Sequence, residues 1–242
     1  MPVLICAFAV TALLYASAGF GGGSTYAALL AVSGLDYRVL PMVALSCNIL
    51  VVLGSTIRFA RARLVPWRRA AILIMIAAPL ALLGGLTPMA ERTFFAVLGA
   101  GLLLTGAALL VPVRTGTVMP SRYVFPSAAP LGYLAGLTGI GGGIFLAPLL
   151  HFARWDKPRK VAATASVFIL VNSVFGLAGQ VLKGGSGRFA AAVEFGLPLF
   201  VAVAIGGQVG SLLAARLLPS RWIRIVTAVL VAAVGVRLLL LY

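Results

Sequence analysis

Two glycine-rich breaks, one in each half of the chain, constrain this sequence more than any other feature. The first is Gly19-Phe20-Gly21-Gly22-Gly23-Ser24-Thr25 and the second is Gly139-Ile140-Gly141-Gly142-Gly143-Ile144-Phe145. Each interrupts a long apolar run and leads straight into another. Four glycines in five residues do not sit in an ordinary helix interior, where each costs about 1 kcal/mol relative to alanine. In a membrane, such a break strands backbone N–H and C=O groups, and it is tolerated only where protein buries it or water reaches it. Equivalent breaks in two halves are the pattern of a transporter whose site is built from broken helices.

The membrane premise rests on composition. The chain has 242 residues, of which 62% are hydrophobic and 10% charged, with a mean hydropathy of +1.14. Soluble domains are about 45–50% apolar and about 25% charged. The apolar runs are long and continuous, which fits helices rather than the alternating strands of a barrel of about 10 residues each. The net charge of +15 comes from 19 Lys+Arg against four acids, Asp36, Glu91, Asp156 and Glu194. These bases fall in short loops between apolar runs, so they read as topology determinants and not as a nucleic-acid surface. Cys6 and Cys47 lie inside apolar runs, as small packing residues do. His151 has no metal-ligand partners, and no Ser-His-Asp, Cys-His or metal-spaced set exists, so neither an enzyme nor a metal or other cofactor is expected. Met1 lacks a basic signal-peptide start and is expected to be retained.

Residues 2–33 as one helix would run about 48 Å, too long for a hydrocarbon core of about 30 Å. The break makes them a hairpin of two pieces, near 3–18 and 24–33. Further segments follow near 39–59, 70–87 and 93–111, and residues 112–122 form a linker. The order then repeats: a broken segment at 123–151, then 160–182, 189–213 and 222–241. The glycine motifs are 120 positions apart, and Asp36 with Asp156 and Ser46 with Ser166 follow at the same offset. The expected fold is therefore an all-α polytopic membrane protein of two inverted repeats (1–111 and 123–242), each a Gly-broken helical hairpin plus three transmembrane helices.

Loop charges separate two topologies. If every segment crosses once, the bases divide ten against nine. If the two broken segments are hairpins, only Arg38, Arg92, Lys183, Arg188 and Arg237 lie on one side and the other fourteen on the opposite side. The positive-inside rule prefers the hairpins, with both termini outside and the linker in the cytoplasm.

The breaks also suggest chemistry. A glycine turn exposes successive backbone N–H groups, and the helix after it adds its free N–H groups and positive dipole end. Gly21, Gly22, Gly23, Ser24 and Thr25 form one such start, and Gly141, Gly142, Gly143 and Ile144 the other. Two of them facing each other can hold a small anion without a charged side chain. Close helix packing through small residues is the alternative. Polar residues inside apolar segments are the other candidates: Ser46 and Asn48 in one, Thr164, Ser166 and Asn172 in another, with Gln180 and Gln208 weaker. Ser46 and Asn48 are about 200° apart round a helix, so one or two per helix are expected at a ligand and the rest between helices. Glu194 reads either as an interface residue paired with an arginine or as a coupling-proton site. Asp36 and Asp156 read as loop caps.

Gly139-Ile-Gly-Gly-Gly-Ile-Phe-Leu-Ala-Pro-Leu-Leu150, followed by Ala162-Ala-Thr-Ala-Ser166, resembles the signature of the sulfite exporter TauE/SafE family. Gly19–Gly23 with Ala44-Leu-Ser-Cys-Asn48 resembles a degenerate copy, and Val65-Pro-Trp-Arg68 resembles the region after the second segment. An Asp is common before that Trp, where this chain has Pro66, and Ala28 stands where the second copy has Pro148. The resemblance covers nearly the whole chain. It implies a multi-pass carrier of the bacterial inner membrane for sulfite, sulfonates or other small sulfur-containing anions, coupled to a proton or other ion gradient and working by alternating access. A channel, a carrier of another small organic anion, and a homodimer stay open.

Overall fold

The computed structural model describes residues 1–17, 19–110, 124–153, 155–212 and 220–241, and all their regular structure is helical. The elements are α1 (Pro2–Ser17), α2 (Gly23–Val32), α3 (Leu40–Arg61), α4 (Trp67–Leu86), α5 (Glu91–Leu110), α6 (Val124–Thr138), α7 (Gly143–Phe152), α8 (Pro158–Leu212) and α9 (Ser220–Leu241). Prolines mark several starts: Pro2 and Pro158 begin α1 and α8, and Pro41 sits in the first turn of α3. Proline suits that turn because the N–H it lacks has no partner in the helix there. The inter-half linker 112–122 lies outside the described residues.

Both broken segments are hairpins. In the first, Phe8 of α1 stacks on Tyr26 of α2 at 4.8 Å between ring centroids. In the second, Phe125 at the start of α6 meets Trp155 beyond α7 at 5.3 Å. Arg69 donates to the Trp155 carbonyl at 3.3 Å, so the chain returns to the end of the bundle from which it entered.

Helix α8 spans 55 residues. Straight, it would reach about 80 Å, and it instead reverses at Gly185, whose φ of 75° is left-handed. The contacts of α3 prove the reversal. Gly184 lies against Met42, while further along α3 Thr56 meets Ser166 and Gly54 lies against Gln208. Residues 158–184 thus run antiparallel to α3, and 186–212 run back beside it. The sequence reading expects a loop over 183–188. Helical geometry continues through both flanks instead, because one glycine in a conformation free of Cβ penalty supplies the whole turn.

Helix α3 and the two arms of α8 form the centre. Around them, α1 packs on the second arm of α8, and α6 packs on α4 in the same way. Backbones touch at these two seams: a Cβ on Gly206 or Gly210 would fall on the Ala9 or Leu13 carbonyl, and one on Gly132 or Gly136 on that of Ala77 or Ala81. Such small-residue seams are how helices associate where lipid removes the hydrophobic driving force. Helices α5 and α9 pair antiparallel, Gly99 against Gly235 and Gly106 against Ala228. Large apolar side chains face outward all round, Met75, Leu182 and Leu240 being 76%, 70% and 81% exposed. Helices α3, α4, α5 and α8 are long and apolar enough to cross a bilayer. The molecule is a multi-pass membrane protein.

Candidate functional site

The first break begins where α1 ends. Gly22 takes φ 78° and caps α2, and the Tyr26 N–H bonds its carbonyl. Gly142 takes φ 72° in the second break, and the Leu146 N–H bonds its carbonyl in turn. Equivalent left-handed glycines therefore start α2 and α7, and the first-turn N–H groups of both helices point back into the breaks.

The two breaks meet at Asn48, near the middle of α3. Its Nδ2 donates to the Ile140 carbonyl at 3.2 Å, tying α3 to the second break. A Cβ on Gly21 would come 2.6 Å from Asn48 Oδ1, and one on Gly141 2.6 Å from Nδ2 and 3.1 Å from Ser173 Oγ. One on Gly23 would fall on the Ile140 carbonyl oxygen itself, and one on Gly143 on the Ile169 side chain. The glycines are thus required sterically as well as conformationally. Among the described residues, none of the atoms nearest to these glycines belongs to a charged side chain.

Polar atoms without protein partners gather here. Ser24 Oγ, Asn48 Oδ1, Ser173 Oγ and both amide atoms of Asn172 are buried and unpaired. Buried polar side chains are hydrogen-bonded in the large majority of cases, so such a concentration asks for a ligand or water. Asn172 and Ser173 share with Ile169 and Gly176 the face of α8 turned to the second break. Ser55, also buried and unpaired, follows Asn48 by two turns of α3.

The remaining sequence candidates lie elsewhere or are engaged. The Thr25 hydroxyl pairs with Tyr15 at 3.0 Å. Ser46 and Thr164 donate to carbonyls one turn back in their own helices, at 2.8 Å to Met42 and 2.9 Å to Lys160. Ser166 Oγ bonds Thr56 Oγ1 at 2.9 Å, between α8 and α3. The backbone of Ile144 sits in the first turn of α7, and its side chain is outside the description, as is that of His151. Gln180 is buried and donates to the Gly136 carbonyl at 2.9 Å, while Gln208 is exposed beside Gly54. Asp36 accepts from the Arg38 N–H at 2.9 Å, and Asp156 from that of Lys157 at 2.8 Å. Glu194 is exposed. Among the described residues no three His, Cys, Asp or Glu side chains come together.

Ser173 was not a candidate from sequence. At the 120-residue repeat offset its mate is Leu53, and Asn48 matches Phe168, so the polar groups at the breaks do not obey the repeat. Ser46 and Ser166 do obey it: Ser46 bonds a carbonyl of its own helix, and Ser166 bonds Thr56 across two helices. The Thr56–Ser166 bond gives a check on that division. Ser166→Ala alone is expected to cost about 1 kcal/mol by leaving Thr56 unpaired, and Thr56→Val with Ser166→Ala less. Thermal unfolding in detergent reads both, and transport stays within about twofold of wild type.

Fold and site together define a membrane protein organised round two broken hairpins that meet at mid-bundle. The chain belongs to the sulfite exporter TauE/SafE family, whose model matches residues 3–238. It is also 33% identical over 247 residues to the probable membrane transporter protein y4hK of Sinorhizobium fredii (strain NBRC 101917 / NGR234), covering 98% of this chain and 97% of that one. No solved structure matches it. It is a membrane transporter of that family.

Proposed function

We propose that the chain carries a small anion, of the sulfite or organosulfonate class, across the bacterial inner membrane by alternating access. The observation that carries this reading is the meeting of the two glycine breaks at Asn48, in a buried, uncharged site rich in unpaired polar atoms. Two helix N-termini and neutral donors attract an anion without the fixed opposite charge that would trap it. Ser24, Asn172 and Ser173 are the donors, and Asn48 positions the breaks against each other. The family's name supplies the sulfur-anion class.

Packing directions support an inverted repeat. Helix α3 is antiparallel to its counterpart, the first arm of α8, and α5 to α9, while α1 and α6 run parallel to the second arm of α8 and to α4. A two-fold axis in the membrane plane relates helices in that way. Returning hairpins place fourteen of nineteen bases on the cytoplasmic side. A reporter fused after Tyr242 is expected to be active only in its periplasmic form, and cytoplasmic activity would overturn this orientation.

Transport itself is tested by uptake into proteoliposomes of radiolabelled sulfite, sulfate and a small sulfonate, with and without a pH gradient. Saturable flux of at least one anion, responding to the gradient, is the expected result. Flux accompanied by single-channel conductance and no response to the gradient would replace the carrier by a channel.

A further inference from the structure

At the end of the bundle that carries the α8 turn, a cavity of about 300 Å³ opens between Arg38, Lys183 and Arg188, with Gln180 deeper in and Pro41 and Leu137 on its wall. None of its lining residues is acidic. Asp36 and Glu91 line an adjoining cleft shared through Arg38, so Lys183 and Arg188 carry the positive character of the first cavity. Two of the three cations bond neutral groups. Arg38 Nε donates to the Tyr37 hydroxyl at 3.0 Å, a bond that raises the guanidinium pKa above its ordinary value. Lys183 Nζ donates to the Thr87 carbonyl at 3.2 Å.

Two observations give this cavity a role. The hairpin topology leaves only five bases on this side of the membrane, and three of the five line one cavity. Positive-inside bias acts against bases here, so topology does not account for them. The wall also touches the second break, since a Cβ on Gly139 would lie 2.7 Å from Pro41 Cα. Gln180 holds the Gly136 carbonyl immediately before that break.

We infer that this cavity is an anion-capture vestibule, in which Arg38, Lys183 and Arg188 collect a small oxyanion from the non-cytoplasmic side and deliver it to the second glycine break. The inference rests on the anion-carrier reading for its purpose, but the cavity's preference for anions is measurable without knowing the substrate. A cationic cleft with low-dielectric walls concentrates anions and speeds their arrival by about 10-fold or more, an effect that falls with ionic strength.

The test places a single cysteine at exposed Pro88 on the cavity rim, in a Cys6→Ser, Cys47→Ala background. Labelling rates are compared for two membrane-impermeant methanethiosulfonates, one bearing ethylsulfonate and the other ethyltrimethylammonium. In intact cells, the anion-to-cation rate ratio is expected to fall about tenfold when Lys183→Gln and Arg188→Gln are introduced together, and to fall likewise with added salt. A ratio unchanged by charge removal would overturn the inference. Labelling of Pro88→Cys only in inverted vesicles would overturn the assigned face. Adding Gly23→Ala, which is expected to stop transport, leaves the ratio intact, so failure at the vestibule and failure at the breaks are read separately.

Discussion

Asn48→Asp is expected to reduce anion uptake by two to three orders of magnitude. The replacement is nearly isosteric and places a carboxylate where the two breaks meet. Like charges about 4 Å apart repel by about 4 kcal/mol at an effective dielectric near 20, roughly a thousandfold in occupancy. The amide donation to the Ile140 carbonyl is lost as well, which frees the second break from α3. Asn48→Ala separates the two effects: it removes the bridge without adding charge and is expected to lose less, about tenfold. Initial uptake rates at matched protein in the membrane are the readout. An Asn48→Asp protein that transports like wild type would show that no anion passes this point.

Gly23→Ala is the second large effect. A single methyl there would clash with the Ile140 carbonyl oxygen and with the Asn48 amide. The breaks must then separate, and a displacement of about 1 Å in a positioned site can cost about 100-fold. Uptake is expected to fall by at least that much, with Gly142→Leu behaving alike because its φ of 72° disfavours any side chain. Helices α3, α4 and α5 do not depend on either glycine, so insertion and a monodisperse profile in detergent are expected to persist. Gly187→Ala is the control: nothing lies within 4 Å of its Cβ, and it is expected to transport normally. Equal uptake by Gly23→Ala and Gly187→Ala would remove the breaks from the mechanism.

Much of the fold was legible because membrane physics leaves few choices. A run of 2–33 is too long to cross once, and four glycines in five residues say where it turns; the hairpin is confirmed by Phe8 on Tyr26. The turn in α8 was placed correctly but drawn too long, since Lys183 and Arg188 read as loop residues while only Gly185 leaves the helix. Ser46 and Asn48 are about 200° apart round α3; Asn48 lies at the breaks and Ser46 bonds its own helix. Ser46 and Ser166 match at the repeat offset, whereas Ser173 has no polar mate in the first half and meets Gly141 only in the folded chain. The cationic vestibule was equally hidden, because Arg38 and Lys183–Arg188 are far apart in sequence and come together only when α8 folds back beside α3.

The most direct measurement is the position of a bound anion. Selenite, an analogue of sulfite with a strong anomalous signal, can be soaked into crystals of the protein and located from that signal. The account predicts a peak between Gly21–Ser24 and Gly141–Ile144, within hydrogen-bond reach (about 3 Å) of Ser173 or the Asn172 amide. A peak confined to other parts of the molecule, with none between the breaks at saturating selenite, would contradict it.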